Sequence, residues 1–345
     1  DHSAACFTRA TGGKIKQKKT RKRQPADVVG WSQIELDSDL FMFSIEDVHT
    51  RGVIGTSQVR AHQGGPGNPN WSFRITEKSF RSESLGWGTT HKVGQLFADE
   101  TGPSEVGGLI LTPSYRGHPL RPGRLLSFIR FHWIGLHREL FADRVIAEMA
   151  PPVSPDGDNV FWDYFGRKFI PVRYSEADRF CQLNRKFISE LLPKEEIYLS
   201  LFPLEVQNTI GQVSPETVPA KRLLETLGFR NRGFVDPFDT GPHLDVATDA
   251  VPIVQETRRL KAARATSAAR LTAPAIVSFE SADGEFRATE TRVEATDDAL
   301  RVSAEVLDLL GARAGDRLGY SPMSRWMAPQ EAAPAKPRAR RKPRS

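Results

Sequence analysis

The hydrophobic pattern first becomes regular at residues 40–47 (LFMFSIED), an apolar run that reads as a strand. A polar turn over 47–52 leads to a second run at 53–60, and the two predict an antiparallel hairpin. A loop rich in Gly and Pro follows, then a short alternating strand at 71–75 and an irregular strand and loop excursion over 86–97. Leu109-Ile110-Leu111 predicts an apolar strand. Beyond it Leu125, Leu126, Phe128, Ile129, His132, Trp133, Leu136, Leu140 and Phe141 recur at helical spacing, and residues 144–149 predict another strand. Residues 159–168 predict an aromatic helix. Residues 169–172 predict an edge strand, because Pro171 cannot donate to a ladder. A longer helix is expected over 174–191 and short elements over 194–227. Gly228 stands where a helix ends and a strand begins at Phe229. From Pro274 the pattern changes to short strands (275–280, 285–291, 299–302, 315–320) around a helix at 304–311, a small barrel-like β-rich unit.

The expected organisation is therefore a disordered basic segment over 1–30, a main α/β domain over 31–256, a linker over 257–273, the β-rich domain over 274–322 and a disordered basic tail over 323–345. Charge supports the two tails. Thirteen of the 48 Lys and Arg residues lie in residues 14–23 and 336–344, which hold no acid; the rest of the chain has 35 against 42 acids, a net charge of −7. The pI near 9.4 thus belongs to the ends, and an acidic body argues against a specific nucleic-acid partner. No run approaches a membrane span. Cys6 and Cys181 are too few for a disulfide framework, and no zinc or calcium spacing occurs, so the expectation is a cytoplasmic protein without a metal.

Residues 109–149 carry the candidate chemistry. A strand feeding a Gly-containing turn and a helix N-terminus can hold phosphate, since first-turn amides lack intrahelical acceptors and the dipole adds positive charge. Arg116, Arg121 and Arg124 crowd that turn around Gly117 and Gly123. On spacing alone, a solvated basic loop explains the same residues.

Residues 109–149, together with FWDYFGRKF (161–169), ISELLPKEEIY (188–198), IGQVSPET (210–217) and AKRLLETLGFRNRGFVDPFDTGP (220–242), resemble arginine N-succinyltransferases. The likeness covers about residues 39–246. It implies a GNAT-like acyl-CoA N-acyltransferase fold, an α/β (α+β) architecture with a mixed, mostly antiparallel sheet. It also implies succinyl transfer from succinyl-CoA to the α-amine of L-arginine in arginine catabolism, by an oligomer of identical or related subunits. The first residue is Asp, and the strand-helix-helix unit that opens the superfamily fold is not found before Trp31; a truncated start is expected.

Acyl transfer from a thioester to an amine needs a donor for the carbonyl oxygen and a group to take the amine's proton. A backbone amide of the apolar strand is the natural donor. The resemblance assigns Leu109 to succinyl-CoA, and Leu111, Arg116, Arg121, Gly123 and Arg124 are expected to join it in holding the cofactor. The turn departs from the family by two extra residues, with Pro119 and Pro122 lacking amide hydrogens. The family's proton-donor His falls at Ser214, whose hydroxyl does not titrate near neutrality. Glu148 is expected to bind the acceptor's guanidinium or act as base. Another amine acceptor, or a weakly catalytic acyl-CoA-binding role, stays open at this point.

Overall fold

The computed structural model describes residues 7–11, 40–47, 50, 52–181 and 185–327. Its strands are β1 (Phe7–Thr11), β2 (Leu40–Glu46), β3 (Val53–Arg60), β4 (Asn70–Ser82), β5 (Trp87–Asp99), β6 (Ser104–Leu111), β7 (Arg144–Glu148), β8 (Ile197–Tyr198), β9 (Arg230–Val235), β10 (Pro242–Ala247), β11 (Arg258–Arg264), β12 (Ala273–Glu280), β13 (Phe286–Ala295), β14 (Ala299–Val302) and β15 (Arg317–Pro322). A nine-stranded mixed sheet runs β2-β3-β6-β7-β10-β9-β4-β5-β8, and β11 to β15 close into a five-stranded barrel through the β12–β13 pairing. β1 bridges the two, antiparallel to both β2 and β13. Within the main sheet every pairing is antiparallel except β6 with β7.

Alternation sets which face of the sheet is covered. Phe41, Phe43 and Ile45 of β2 are buried, whereas Leu40 and Met42 are exposed. The buried set packs on the central helix, Pro122–Leu136, which starts with Pro at its first position. That helix is buried almost all round, with Leu125, Leu126, Phe128, Ile129, Phe131, Trp133 and Ile134 each at most 5% exposed. A helix apolar on every side must be enclosed. Here the sheet lies on one side and the barrel on the other. His132 crosses to the barrel: Nδ1 lies 2.6 Å from Ser321 Oγ and Nε2 2.7 Å from Ser278 Oγ. A second apolar cluster sits under β4 and β9, where Phe73 and Val235 meet the aromatic helix residues Phe161, Trp162 and Phe165.

Several segments differ from the pattern reading. Residues 86–97 are not irregular: β4 and β5 form a long hairpin registered from Asn70↔Asp99 to Ser82↔Trp87. The polar surface of its outer half had hidden the alternation. Residues 169–172 form no strand, since Ile170 N–H donates to Gly166 O and ends the helix instead. The expected linker 257–273 begins with β11, a barrel strand whose Leu260 and Ala262 point into the barrel core. Its Ala and Arg content masked a two-residue alternation. Within the segment expected to be disordered over 1–30, residues 7–11 are the strand β1; the rest lies outside the described residues, as does 328–345. At the start of the tail Met323 is fully buried and Trp326 packs edge-on to Phe128.

Burial pushes the His132 ring down to about 3, with Arg259 and His137 adding to the effect. The unfolded chain binds a proton near pH 6.5 that the fold refuses, so stability falls as pH drops below that value, by up to ~1.4 kcal/mol per pH unit from this group. Urea unfolding at pH 7.5 and 5.5 should show His132→Gln less stable at the higher pH but losing less between the two. An equal loss in both proteins would remove His132 as the source.

Candidate active site

β6 and β7 run parallel, yet their register holds only at Ser104↔Val145 and Glu105↔Ile146. Beyond that pair β6 continues to Leu111 beside β3 while β7 continues to Glu148 beside β10. The two strands therefore part, leaving a wedge lined by backbone. A bulge on β6 accompanies the parting: Thr56 faces Ile110, but Gln58 faces Gly107, and Gly108 takes φ 55°. Leu109 and Leu111 lie half-buried here against the central core.

The Arg-rich turn caps the wedge. Arg121 adopts a left-handed conformation (φ 49°, ψ 53°) just before Pro122. Arg124 and Leu125 amides both donate back to Arg121 O, at 2.9 and 3.4 Å, so the first turn is tighter than an open phosphate cradle. Gly123 approaches Leu111, whose Cδ2 would lie 3.4 Å from an added Cβ. Arg121 is exposed, and Arg116 is an exposed residue 3.3 Å from Glu216. Arg124 does not reach this side. Its guanidinium bonds Glu290 of β13 at 2.5 Å in a nearly buried pair, tying helix to barrel.

At the far wall stands a buried charged chamber. Glu148 accepts a 3.1 Å bond from Asn70 Nδ2, and Arg185 donates to Asn70 Oδ1 at 2.5 Å. Glu105 lies 3.7 Å from Arg60. The turn 236–241 brings in more acids. Asp236 Oδ1 accepts the amides of Phe238 (2.7 Å) and Asp239 (3.1 Å), and Asp239 accepts Gly241 N–H and Tyr174 O–H, both at 2.7 Å. Thr240 is held at φ 63°, and a Cβ on Gly241 would stand 2.2 Å from Met149 O. Only glycine lets this turn press against the end of β7.

Four carboxylates face two guanidinium groups, and the imbalance shows in their titration. Burial and the nearby Glu148 push Glu105 up to about 7, against the pull of Arg185 and Arg60. Burial, Asp239 and Glu148 drive Asp236 well above the carboxylate range. Burial raises Asp239 to about 6, although Gly241 N–H and Tyr174 oppose it. Glu148 goes the other way: burial works against its charge, but His243, Arg185 and Asn70 outweigh it and hold it below the ordinary value.

Of the residues singled out in the sequence, Leu109, Leu111, Arg121 and Gly123 gather at the wedge and its capping turn, and Glu148 lies at its opposite wall. Ser214 N–H donates to Ala150 O at 2.9 Å, so its loop also ends at the tip of β7, but Ser214 Oγ is engaged with Thr217 Oγ1 at 2.7 Å. Asn70, Glu105, Arg185, Asp236 and His243 were not found from sequence. The Gly107-Gly108 pair inside a strand is the sequence signal for the bulge, and the closely spaced aspartates and Gly241 of DPFDTGP (236–242) are the signal for the acidic turn.

The mixed sheet, with its parallel pair parting beside a helix start, has the acyl-CoA N-acyltransferase fold, to which a C-terminal five-stranded barrel is added. The chain belongs to the arginine N-succinyltransferase family: residues 23–253 match the family described as arginine N-succinyltransferase beta subunit. It is 34% identical over 279 residues to arginine N-succinyltransferase of Escherichia coli strain 55989, covering 81% of this chain and 80% of the relative. Its identity to the protein of the same name from Escherichia fergusonii is 33%, with the same coverage. Among solved structures it resembles arginine/ornithine succinyltransferase subunit AI from Pseudomonas aeruginosa, with a TM-score of 0.69, 25% identity and 82% of each chain covered. No described helix is long and apolar enough to cross a membrane.

Arg185 is the chamber's central cation. Replacing it by Leu leaves Glu148 and Glu105 less compensated, raising both pKa values, so the penalty grows as pH rises and these groups ionise. Urea unfolding should show a loss of about 3–5 kcal/mol at pH 8 and a smaller one at pH 5. A loss independent of pH would mean that Arg185 acts by packing alone.

Proposed function

We propose that the protein transfers the succinyl group of succinyl-CoA to the α-amine of L-arginine, releasing CoA. The observation that carries this reading is the wedge between β6 and β7, opening beside the start of the central helix in a chain 34% identical to enzymes of that activity. In the wedge a thioester can lie along β6, its carbonyl oxygen taking a backbone amide near Leu109. Leu111 and Gly123 floor the passage, while Arg121 and Arg116 reach the CoA phosphates. Arg124 is left out of that role by its pairing with Glu290. Glu148 faces the acceptor from the other wall. The setting for this reaction is the cytoplasm, with no metal taking part.

Amine attack expels a thiolate. A thiol of reference pKa about 8.5 leaves without help, whereas a general acid adds ~10²–10⁴-fold. Ser214 supplies no such acid. Acylation of a different amine is the second reading, favoured by Ser214 and by Pro119 and Pro122 in the turn.

Two measurements test the proposal. Saturation with CoA at ~100 times its Kd should stabilise the fold by about 2.7 kcal/mol, read as a rise in Tm; an unchanged Tm at millimolar CoA rejects the wedge as its site. A thiol-release assay with succinyl-CoA should show slow turnover that depends on arginine, and Ser214→His should raise it at neutral pH. CoA binding without arginine-dependent release in either protein would reject arginine as acceptor.

A further inference from the structure

An imidazole, His243 of β10, stands beside the end of β7, where the Ser214 loop also ends. His243 is registered directly opposite Glu148 across the β7–β10 ladder. It is only 8% exposed, and its Nε2 is buried with no hydrogen-bond partner. A buried polar atom left unpaired costs about 1–3 kcal/mol, a cost that a ligand's donor would remove. Nε2 lies 3.8 Å from Glu148 Oε1, too far for a hydrogen bond. One nitrogen placed about 2.9 Å from each would bridge the two. Glu148 keeps 26% of its side chain exposed, so the pair is open to an incoming group on that side.

Resting on the succinyl-transfer reading, we propose that His243 Nε2, paired with Glu148, receives the proton of the attacking α-ammonium group. The nitrogen donates to both atoms on arrival. One N–H proton passes to His243, the freed lone pair forms the N–C bond at the thioester carbonyl, and the C–S bond breaks with its electron pair on sulfur. The nitrogen's second proton goes to the CoA thiolate, and His243 returns its own to solvent. Products are amide, thiol and one released proton.

The ring is suited to this because burial holds it below its usual value, which favours the form that accepts a proton; Glu148 pulls it up, and Arg185 and Arg144 add to the lowering against Asp99. Asp236 also faces it, within the 4.8 Å that spans the Glu148, Asp236 and His243 donor atoms.

The test is thiol release from succinyl-CoA with arginine, ornithine and lysine as acceptors, for wild type, His243→Gln, His243→Asn and the distant control His91→Gln. His243→Gln should lower kcat by about 10²–10⁴-fold with succinyl-CoA KM and Tm retained, and His243→Asn serves the same purpose if the Gln variant does not fold. The wild-type rate should fall on the acid side below pH 6.5. That limb should vanish in both His243 variants and move to lower pH in Glu148→Gln, a response that a purely structural histidine would not give. Retention of wild-type kcat or of the acid limb in a folded His243 variant overturns the inference and leaves the succinyl-transfer reading standing. Turnover with ornithine or lysine only, dependent on His243, rejects arginine and supports the inference. An absence of turnover with any amine overturns both. Activity lost on EDTA treatment and restored by zinc would make the trio a metal site and overturn it as well.

Discussion

The structure depends on one failure of pairing. β6 and β7 are the parallel pair of the main sheet, and they hold together for two registered positions before parting. A sheet cannot leave backbone groups unmet inside a core without cost, so the opening exists only where other elements hold both sides in place. β3 holds β6 through a bulge at Gly108, and β10 holds β7 through five registered pairs. The central helix spans beneath, and the barrel clamps that helix through His132 and the Arg124–Glu290 pair. The barrel is thus a brace for the helix whose start faces the opening.

Charge placement follows the same geometry. Around the parting of β6 and β7, Glu105 of β6, Glu148 of β7 and His243 of β10, registered opposite Glu148, collect with the turn 236–241. Carboxylates outnumber the guanidinium groups, so protons make up the deficit in the free protein. Such a chamber favours a cationic ligand that brings hydrogen-bond donors, and an amino acid ammonium is one. Stability is spent here, in Thr240 at positive φ and in the unpaired His243 Nε2, rather than in the apolar clusters.

Much of the architecture was legible because period and composition agreed. The β2–β3 hairpin, the β6 strand, the central helix and the β-rich end all announce themselves by spacing. β11 was read as linker because its seven residues are mostly Ala and Arg, and burial of Leu260 and Ala262 is decided by barrel closure, which local pattern does not encode. The site was half legible. Leu109, Leu111, Arg121 and Gly123 lie within one continuous segment, so their grouping could be read from the sequence. Asn70, Arg185 and His243 come from β4, a helix start and β10, and only sheet order 6-7-10-9-4 brings them together. Arg124 was misassigned for the same reason: its partner Glu290 is 166 residues away.

The central claim is that the acyl-CoA thioester occupies the opening between β6 and β7. Hydrogen exchange on the free protein and with succinyl-CoA tests this directly at the amides of residues 107–111. Those facing the opening should exchange readily in the free protein and become protected when succinyl-CoA is bound. Unchanged exchange there, with protection instead around the cavity of ≈ 590 Å³ lined by Lys92, Gln207, Asn231 and Gly233, would contradict the account.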